Sequence, residues 1–362
     1  MTIAIIAILA ACTTDRTRRG YMRTMAATLG EPPRPVIVVP GFGVTKLFDP
    51  VTRRYVWGTG HATFQTRYED DLDLPVNGHD RLIPHGYVGS RGPINIGWQI
   101  TEGLRKFGRY VPGRTVFPFY YDWRLSARHN AARLAEVVET VRAGGSVDIV
   151  AHSAGAIVAL TYVKLGGAEH VDHLVLIAPT QLGVVDAFRI LVRPERFIRR
   201  VFTTEMVETW PSVPELLPED GRFVVDQSGH PTGFDAWNPE RWRTIIGTTT
   251  AFERSIAEAR RFRDELRRAP MPAAVKVTVL AGDCVETAHR VLLRRDGSFV
   301  FYPGELRGVE RGLASELFEP GDGTVPISSA RAGGSATTFC DGHQGIAADP
   351  NVQHALIQTL RQ

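Results

Sequence analysis

Within the 362-residue chain, the run Ala151-His152-Ser153-Ala154-Gly155 holds a side chain that could do covalent chemistry. Small residues stand two before and two after the serine, as a tight turn requires. Ser146 to Val150 reads as a strand leading into it, and Ala154 to Leu165 as a mostly apolar helix leading out. Strand, turn and helix in that order are the setting of a nucleophile elbow, in which a strained turn exposes the serine Oγ. The helix then aims its N-terminal N–H groups and positive dipole end at the oxygen. Ala151 replaces the usual glycine and is larger by a methyl group only. The competing reading is a serine that caps a buried helix.

A serine hydroxyl is a weak nucleophile until a histidine accepts its proton, and that histidine needs a carboxylate to fix its tautomer. With an elbow of this kind the chain order is serine, acid, histidine, with acid and base following the last strands. Among eleven histidines, His343 meets that condition, coming after a strand and the short turn Asp341-Gly342. His152 is expected to point elsewhere and be structural, and His354 to lie inside a terminal helix. Two carboxylates compete for the acid. Asp283 follows the strand Val275 to Leu280, and Asp322 sits in the glycine-flanked turn Gly321-Asp322-Gly323-Thr324-Val325-Pro326. The glycines favour Asp322, while a turn-forming aspartate is the bland reading of either. Two backbone donors must converge on the oxygen that becomes charged in an acyl transfer. The N–H groups of Ala154 and of Phe42, in the turn Pro40-Gly41-Phe42-Gly43, are placed for this.

The elements that carry these residues alternate. Pro35 to Pro40 is a continuous β-branched run, as in a buried central strand. A turn-rich region over about 49–95 follows, then a helix over Trp98 to Tyr110 and a strand over Thr115 to Tyr121. Asn130 to Arg142 places Leu134, Val137, Val138 and Val141 on one helical face. After the elbow come a strand over Val171 to Ile177, an irregular stretch over about 182–250, and a helix over Phe252 to Arg267. A strand at Val275 to Leu280, a hairpin-like stretch, a strand at Ala336 to Cys340 and a final helix complete the chain. Such alternation predicts an α/β fold with a mostly parallel central sheet, helices on both faces and a cap insertion.

Composition narrows the class. The chain is 43% hydrophobic and 22% charged with a net charge of +3, which excludes disordered and fibrous types and gives no nucleic-acid signature. Arginine outnumbers lysine 38 to 4, which a GC-rich genome explains. Cys12, Cys284 and Cys340 are too few for a disulfide framework or a zinc site, and no metal or organic cofactor is expected. Cys284 and Cys340 follow strands expected to be neighbours; free buried thiols are the default, and a disulfide is the alternative in an exported protein. The apolar stretch Ile3 to Ala11 running into Cys12 is similar to a bacterial lipoprotein signal, although no basic residue precedes it. It predicts a cell-envelope or secreted protein, lipid-anchored at Cys12, with an Arg-rich tether over 13–33. A cytoplasmic protein with an apolar N-terminus is the alternative.

Five collinear segments together resemble the lecithin:cholesterol acyltransferase family. They are Pro35 to Gly41, Tyr121-Asp122-Trp123-Arg124-Leu125, the elbow at Ser153, Trp210 to Pro218 and Gly321 to Pro326. The resemblance implies an α/β-hydrolase fold over 34–362, with cap and lid segments at about 49–95 and 182–250 and a leader and tether over 1–33. It places the acid on Asp322 rather than Asp283. It also implies transfer of an acyl group from a lipid ester, a phospholipid or acylglycerol, onto Ser153 and then to water or a lipid alcohol. The chain departs from the pattern in two places. Ala178 to Gly183 lacks the aromatic-Gly-Gly run, and Trp57 to Pro75 has no cysteine pair but an acidic cluster, Glu69, Asp70, Asp71 and Asp73.

Val184 to Phe202 mixes aromatics and aliphatics with five arginines, a local charge as large as that of the whole chain. Read as a basic amphipathic helix divided at Pro194, it would lie on a membrane surface or pack its apolar face on the core. The expected function is a serine-dependent lipid ester hydrolase or acyltransferase. A carboxylesterase for small soluble esters and a catalytically silent lipid-binding protein are the alternatives.

Overall fold

The computed structural model describes residues 17–59, 72–74, 81–88, 96–193, 195–197, 200–247 and 249–362. The leader through Cys12 and the acidic residues Glu69, Asp70 and Asp71 lie outside the described residues. Six parallel strands form the central sheet: β1 (Val36–Val39), β2 (Val116–Pro118), β3 (Val147–His152), β4 (Val171–Ile177), β5 (Lys276–Gly282) and β6 (Thr337–Phe339). Their order is β6-β5-β4-β3-β1-β2, with Val38 opposite Val150 across β1 and β3 and opposite Pro118 across β1 and β2.

Alternation along β1 explains why its run is apolar without interruption. Ile37 and Val39 enter one core with Leu134 and Val138 of α2 (Ala127–Arg142) and Ile157 of α3 (Gly155–Tyr162). Val36 and Val38 enter a second core with Leu104 and Phe107 of α1 (Ile96–Gly108) and Leu356 of the C-terminal helix. A strand covered on both faces has no polar side to show. Ser126 starts α2 three residues earlier than the apolar pattern alone suggests, because its Oγ accepts from the His129 N–H. The parallel sheet with helices on both faces is the architecture the alternation predicts.

Three stretches differ from their sequence reading. Residues 17–28, expected within a tether, form a helix. Met22, Ala26 and Leu29 recur at helical spacing along its inner side and just past its end, and Met22 and Leu29 pack on the second core. Val184 to Phe202 is one helix followed by a hairpin rather than two helical pieces. The helix α4 spans Val185–Val192, and Glu195–Phe197 pairs antiparallel with Arg200–Phe202. The apolar face of α4 is core: Phe188 sits among Phe223, Phe234, Trp242, Phe299 and Phe301 at ring distances of 5.2–6.2 Å. Arg189 pairs with Asp186 and Arg193 with Glu305, each at 3.0 Å. Finally, Cys284 and Cys340 are joined in a disulfide rather than free. They lie just past β5 and β6, whose pairing sets Gly282 opposite Phe339 and leaves the two Cα atoms 5.0 Å apart.

The remaining helices serve the same frame. The long helix α5 (Thr250–Arg268) starts at the Thr249 cap and buries Phe252, Ile256 and Phe262. The terminal helix α6 (Pro350–Thr359) starts at Asp349, whose carboxylate accepts from the Asn351 and Val352 N–H groups. Among the described residues no helix is long and apolar enough to cross a membrane.

Candidate active site

The strand order reverses direction between β1 and β3, and the turns leaving those two strands meet at their carboxyl ends. Open α/β sheets bind ligands at such a switch point. Ser153 follows β3 with φ of +55°, a left-handed conformation that is unfavourable for a residue with a Cβ. The turn is over-determined: the Ser153 N–H donates to the Ile177 carbonyl at 3.0 Å, and α3 begins at once. Two glycines let the turns approach. A Cβ on Gly155 would lie 2.3 Å from the Pro40 oxygen, and one on Gly41 would lie 2.9 Å from the Ser153 Cβ.

His343 and Asp322 come from opposite sides of one close contact. The His343 N–H donates to the Asp322 carbonyl at 2.8 Å, and the Asp322 carboxylate meets His343 Nδ1 at 2.7 Å. Asp322 Oδ1 accepts two further N–H groups, from Thr324 at 2.9 Å and Val325 at 2.7 Å. An ionised carboxylate only accepts, so Nδ1 carries the proton and Nε2 keeps its lone pair for the Ser153 hydroxyl, 2.9 Å away. The three side chains form one hydrogen-bonded line, each no more than 8% exposed. Burial raises the Asp322 pKa, but His343 and the two N–H groups outweigh it and hold it below the usual value. Burial pulls His343 down, and the Asp322 charge and hydrogen bond outweigh that, so its pKa is raised above the usual 6.5.

Asp283, the competing acid, is not brought to His343. The two candidates are nonetheless near neighbours, since a Cβ on Gly282 would lie 2.7 Å from the Asp322 Cβ. His152 does not point away from the site as expected. Its ring centroid is 4.9 Å from that of His343, because His152 ends β3 beneath the turn that carries the histidine. His354 lies in α6, its ring edge-on to Tyr21 at 6.0 Å.

Phe42 and Ala154 flank the serine from the two turns, and among the described residues neither N–H has an acceptor in the chain. The turn holding Phe42 is fixed by residues whose task the sequence does not reveal. Tyr121 donates to the Pro40 carbonyl at 2.7 Å, Trp57 to Gly43 at 2.6 Å and Trp123 to Thr45 at 3.0 Å. Between the two aromatics of its motif, Asp122 meets Arg124 in a buried ion pair at 2.7 Å. Arg124 and Trp210 both donate to the Leu72 carbonyl, at 2.9 and 2.7 Å. Glu215 accepts the first N–H of α2 from Ala127 at 2.7 Å. Burial pushes that carboxyl up to about 8, against the Ala127 N–H and the charges of Arg263 and Arg128. Thr287 accepts the Gly323 N–H at 2.8 Å and so steadies the turn of Asp322. The Tyr-Asp-Trp-Arg and Trp210 to Pro218 runs are the available signal, since aromatic N–H and O–H groups in apolar segments need buried acceptors.

A small cavity of about 20 Å³, room for one water, opens beside Phe42 and Ala154 and runs past Tyr121 and Ile157 to Ser212 and Glu215. Elsewhere, Asp148, Asp172 and His173 bring ligand-type atoms within 4.8 Å of one another at the opposite end of the strands. Arg34 is seated on all three, at 2.8, 3.0 and 2.9 Å, so a guanidinium supplies the positive charge there.

Comparison with known proteins places the fold. A family model described as lecithin:cholesterol acyltransferase matches residues 92–292. An uncharacterized protein of Saccharomyces cerevisiae is 26% identical over 249 residues, which are 64% of this chain and 36% of that protein. The chain therefore spans well under half the length of that relative. Among solved structures, a chain of the Tle4-Tli4 complex is similar with a TM-score of 0.59 at 16% identity, over 90% of this chain and 98% of that one. The mature lipase BlEst2 of Bacillus licheniformis aligns at 13% identity over 92% and 94%, with a TM-score of 0.43. The fold is that of the α/β-hydrolases, and the chain belongs to the lecithin:cholesterol acyltransferase family.

Proposed function

We propose that this protein is a serine-dependent hydrolase or acyltransferase of lipid esters. The observation that carries the reading is the line from Ser153 Oγ through His343 to Asp322, set on a strained elbow beside two backbone N–H groups that have no acceptor among the described residues. Ser153 Oγ attacks the ester carbonyl carbon while its proton passes to His343 Nε2. The carbonyl oxygen takes up negative charge against the Phe42 and Ala154 N–H groups. Collapse breaks the bond to the alcohol oxygen, which leaves with the proton from His343, and the acyl group stays on Ser153. Water or a lipid alcohol then attacks the acyl-enzyme, giving its proton to His343, and Ser153 is released. Asp322 holds the Nδ1–H tautomer and balances the imidazolium charge. Family membership supports a lipid ester as substrate. Ser153→Ala is expected to abolish hydrolysis of a long-chain p-nitrophenyl ester with an unchanged melting temperature; retained turnover would overturn the assignment. Incubation with a phospholipid, with and without a lipid alcohol, and identification of the products distinguishes hydrolysis from transfer.

A second reading, a carboxylesterase for small soluble esters, is favoured by the small cavity beside Phe42 and Ala154. Rates on p-nitrophenyl esters from acetate to palmitate separate the readings, a maximum at long chains supporting the lipid substrate. We further propose export with lipid attachment at Cys12. The Cys284–Cys340 disulfide supports it, because such bonds persist in oxidising compartments. Cys12→Ala should move the protein from the detergent phase to the aqueous phase; unchanged partitioning would overturn the anchor.

A further inference from the structure

His152 is the elbow residue that this chemistry leaves without a task. It is fully buried at the end of β3, and among the described residues neither of its ring nitrogens makes a hydrogen bond of good geometry. Buried polar atoms are rarely left so, because each loses its bonds to water and gains none in return. An apolar ring of the same size would avoid that loss, so the position holds nitrogens at a cost to folding.

The surroundings of the ring indicate what the nitrogens do. On one side lies His343, with ring centroids 4.9 Å apart and planes tilted by 40°. On the other lies the turn that carries Phe42: a Cβ on Gly41 would come within 3.1 Å of His152 Nδ1. One side chain therefore spans the distance between the general base and the turn of an oxyanion donor. Burial and the charge on His343 keep His152 uncharged, with Asp322 and the His343 carbonyl acting the other way. A neutral imidazole always keeps one lone pair. The His343 carbonyl favours an N–H on one ring nitrogen of His152, and the other nitrogen keeps the lone pair. At rest it faces a neutral ring. Once the Ser153 proton reaches His343 Nε2, it faces a cation, and an interaction that strengthens only then accelerates the reaction.

We propose that His152 is a positioning residue of the acyl-transfer site, wedging the Gly41–Phe42 turn against His343 and turning a free lone pair toward that ring as it becomes charged. The role rests on the serine-hydrolase reading above. The charged and titratable groups facing His343 are Asp322 from the turn after Phe318–Gly321, Asp186 of α4 and His152 itself; those facing His152 are His343 and Asp322.

The test compares the full-length wild type with His152→Phe, which keeps a ring and removes both nitrogens. Kinetics on a p-nitrophenyl ester should show kcat reduced by about tenfold or more, KM within about twofold, and the acid limb of kcat/KM moved to lower pH. The melting temperature should not fall. Should the phenylalanine variant fail to fold, His152→Asn and His152→Ala form the comparison. Asparagine keeps an acceptor and should leave the limb nearer its wild-type place than alanine does. A phenylalanine variant with unchanged kcat and limb, or asparagine and alanine variants with the same limb, would show a space-filling side chain and overturn the role. A fluorophosphonate probe separates this from failure of the underlying reading. Labelling of wild-type Ser153 with unchanged variant kinetics removes His152 alone, and an unlabelled wild type removes both.

Discussion

Arg124→Met should destabilise the fold far more than removal of a surface arginine. Arg124 is fully buried, and it binds the Asp122 carboxylate through Nε at 3.0 Å and Nη2 at 2.7 Å while Nη1 donates to the Leu72 carbonyl at 2.9 Å. Removing the guanidinium leaves Asp122, itself 4% exposed, charged and without its partner, and breaking a buried pair in this way costs about 3–5 kcal/mol. The Leu72 carbonyl keeps the Trp210 indole, so its loss adds no more than about 1 kcal/mol. A total near 4 kcal/mol is a large fraction of the roughly 5–15 kcal/mol that stabilises a typical domain. The double variant Asp122→Asn, Arg124→Met removes both charges. Its asparagine amide oxygen can still accept the backbone N–H at position 124, a bond that Asp122 makes at 3.0 Å. The double variant should therefore cost less than Arg124→Met alone, with a coupling of about 2 kcal/mol or more. Urea unfolding followed by tryptophan fluorescence measures these two and the single variant Asp122→Asn, with Trp123 and Trp210 beside the pair. At a temperature where Arg124→Met is folded, its kcat should still be lowered, because Tyr121 and Trp123, which flank Asp122, hold the Pro40 and Thr45 carbonyls. A single variant that costs under about 1 kcal/mol, or a double variant as costly as the summed singles, would refute the reasoning.

The site supplies two further predictions. His343 must be neutral to accept the Ser153 proton, and its pKa is raised, so kcat/KM should climb with pH through a midpoint above 6.5. The stability from that raised pKa is fully present below 6.5 and is lost as pH rises through the folded value, while the Asp322 contribution is lost as pH falls below 3.8. Activity should therefore rise over a range in which the pair's contribution to thermal stability falls, and parallel profiles would contradict this. Reduction of Cys284–Cys340, which are 56 residues apart in sequence, should lower stability by about 4 kcal/mol. Because Cys340 stands three residues before His343, it should also lower kcat before global unfolding; unfolding and activity curves that coincide in reductant would argue against that tether.

The parts of the site legible in the sequence are those whose chemistry is local. The elbow is one contiguous run, and its small residues are required by contacts within a few ångströms, as Gly155 against the Pro40 carbonyl shows. The glycine-flanked turn of Asp322 is local too, although Asp283 lies so close in space that strand order alone does not separate them. Residues whose role is a contact across the fold are not legible. Trp210 reaches Leu72, and Glu215 reaches Ala127, from distant parts of the chain. The surroundings of His152 are hidden because alternation along β3 says which face a side chain leaves by, not which loop later covers it. The Arg-rich stretch Val184 to Phe202 departs from a helical reading beyond Pro194, where Glu195–Phe197 pairs with Arg200–Phe202. Its helical half shows how an apolar-aromatic pattern with arginines serves a core, with Phe188 inside and Arg193 meeting Glu305.

The central claim is that an acyl group passes through a covalent bond to Ser153 with His343 as base. Peptide mass spectrometry of enzyme quenched during turnover of a p-nitrophenyl ester tests it most directly. The account predicts one acyl adduct, on the peptide containing Ser153, which is absent in Ser153→Ala and accumulates far more slowly in His343→Ala. Continued turnover with Ser153 unmodified, or an adduct at another residue that disappears at the catalytic rate, would contradict it.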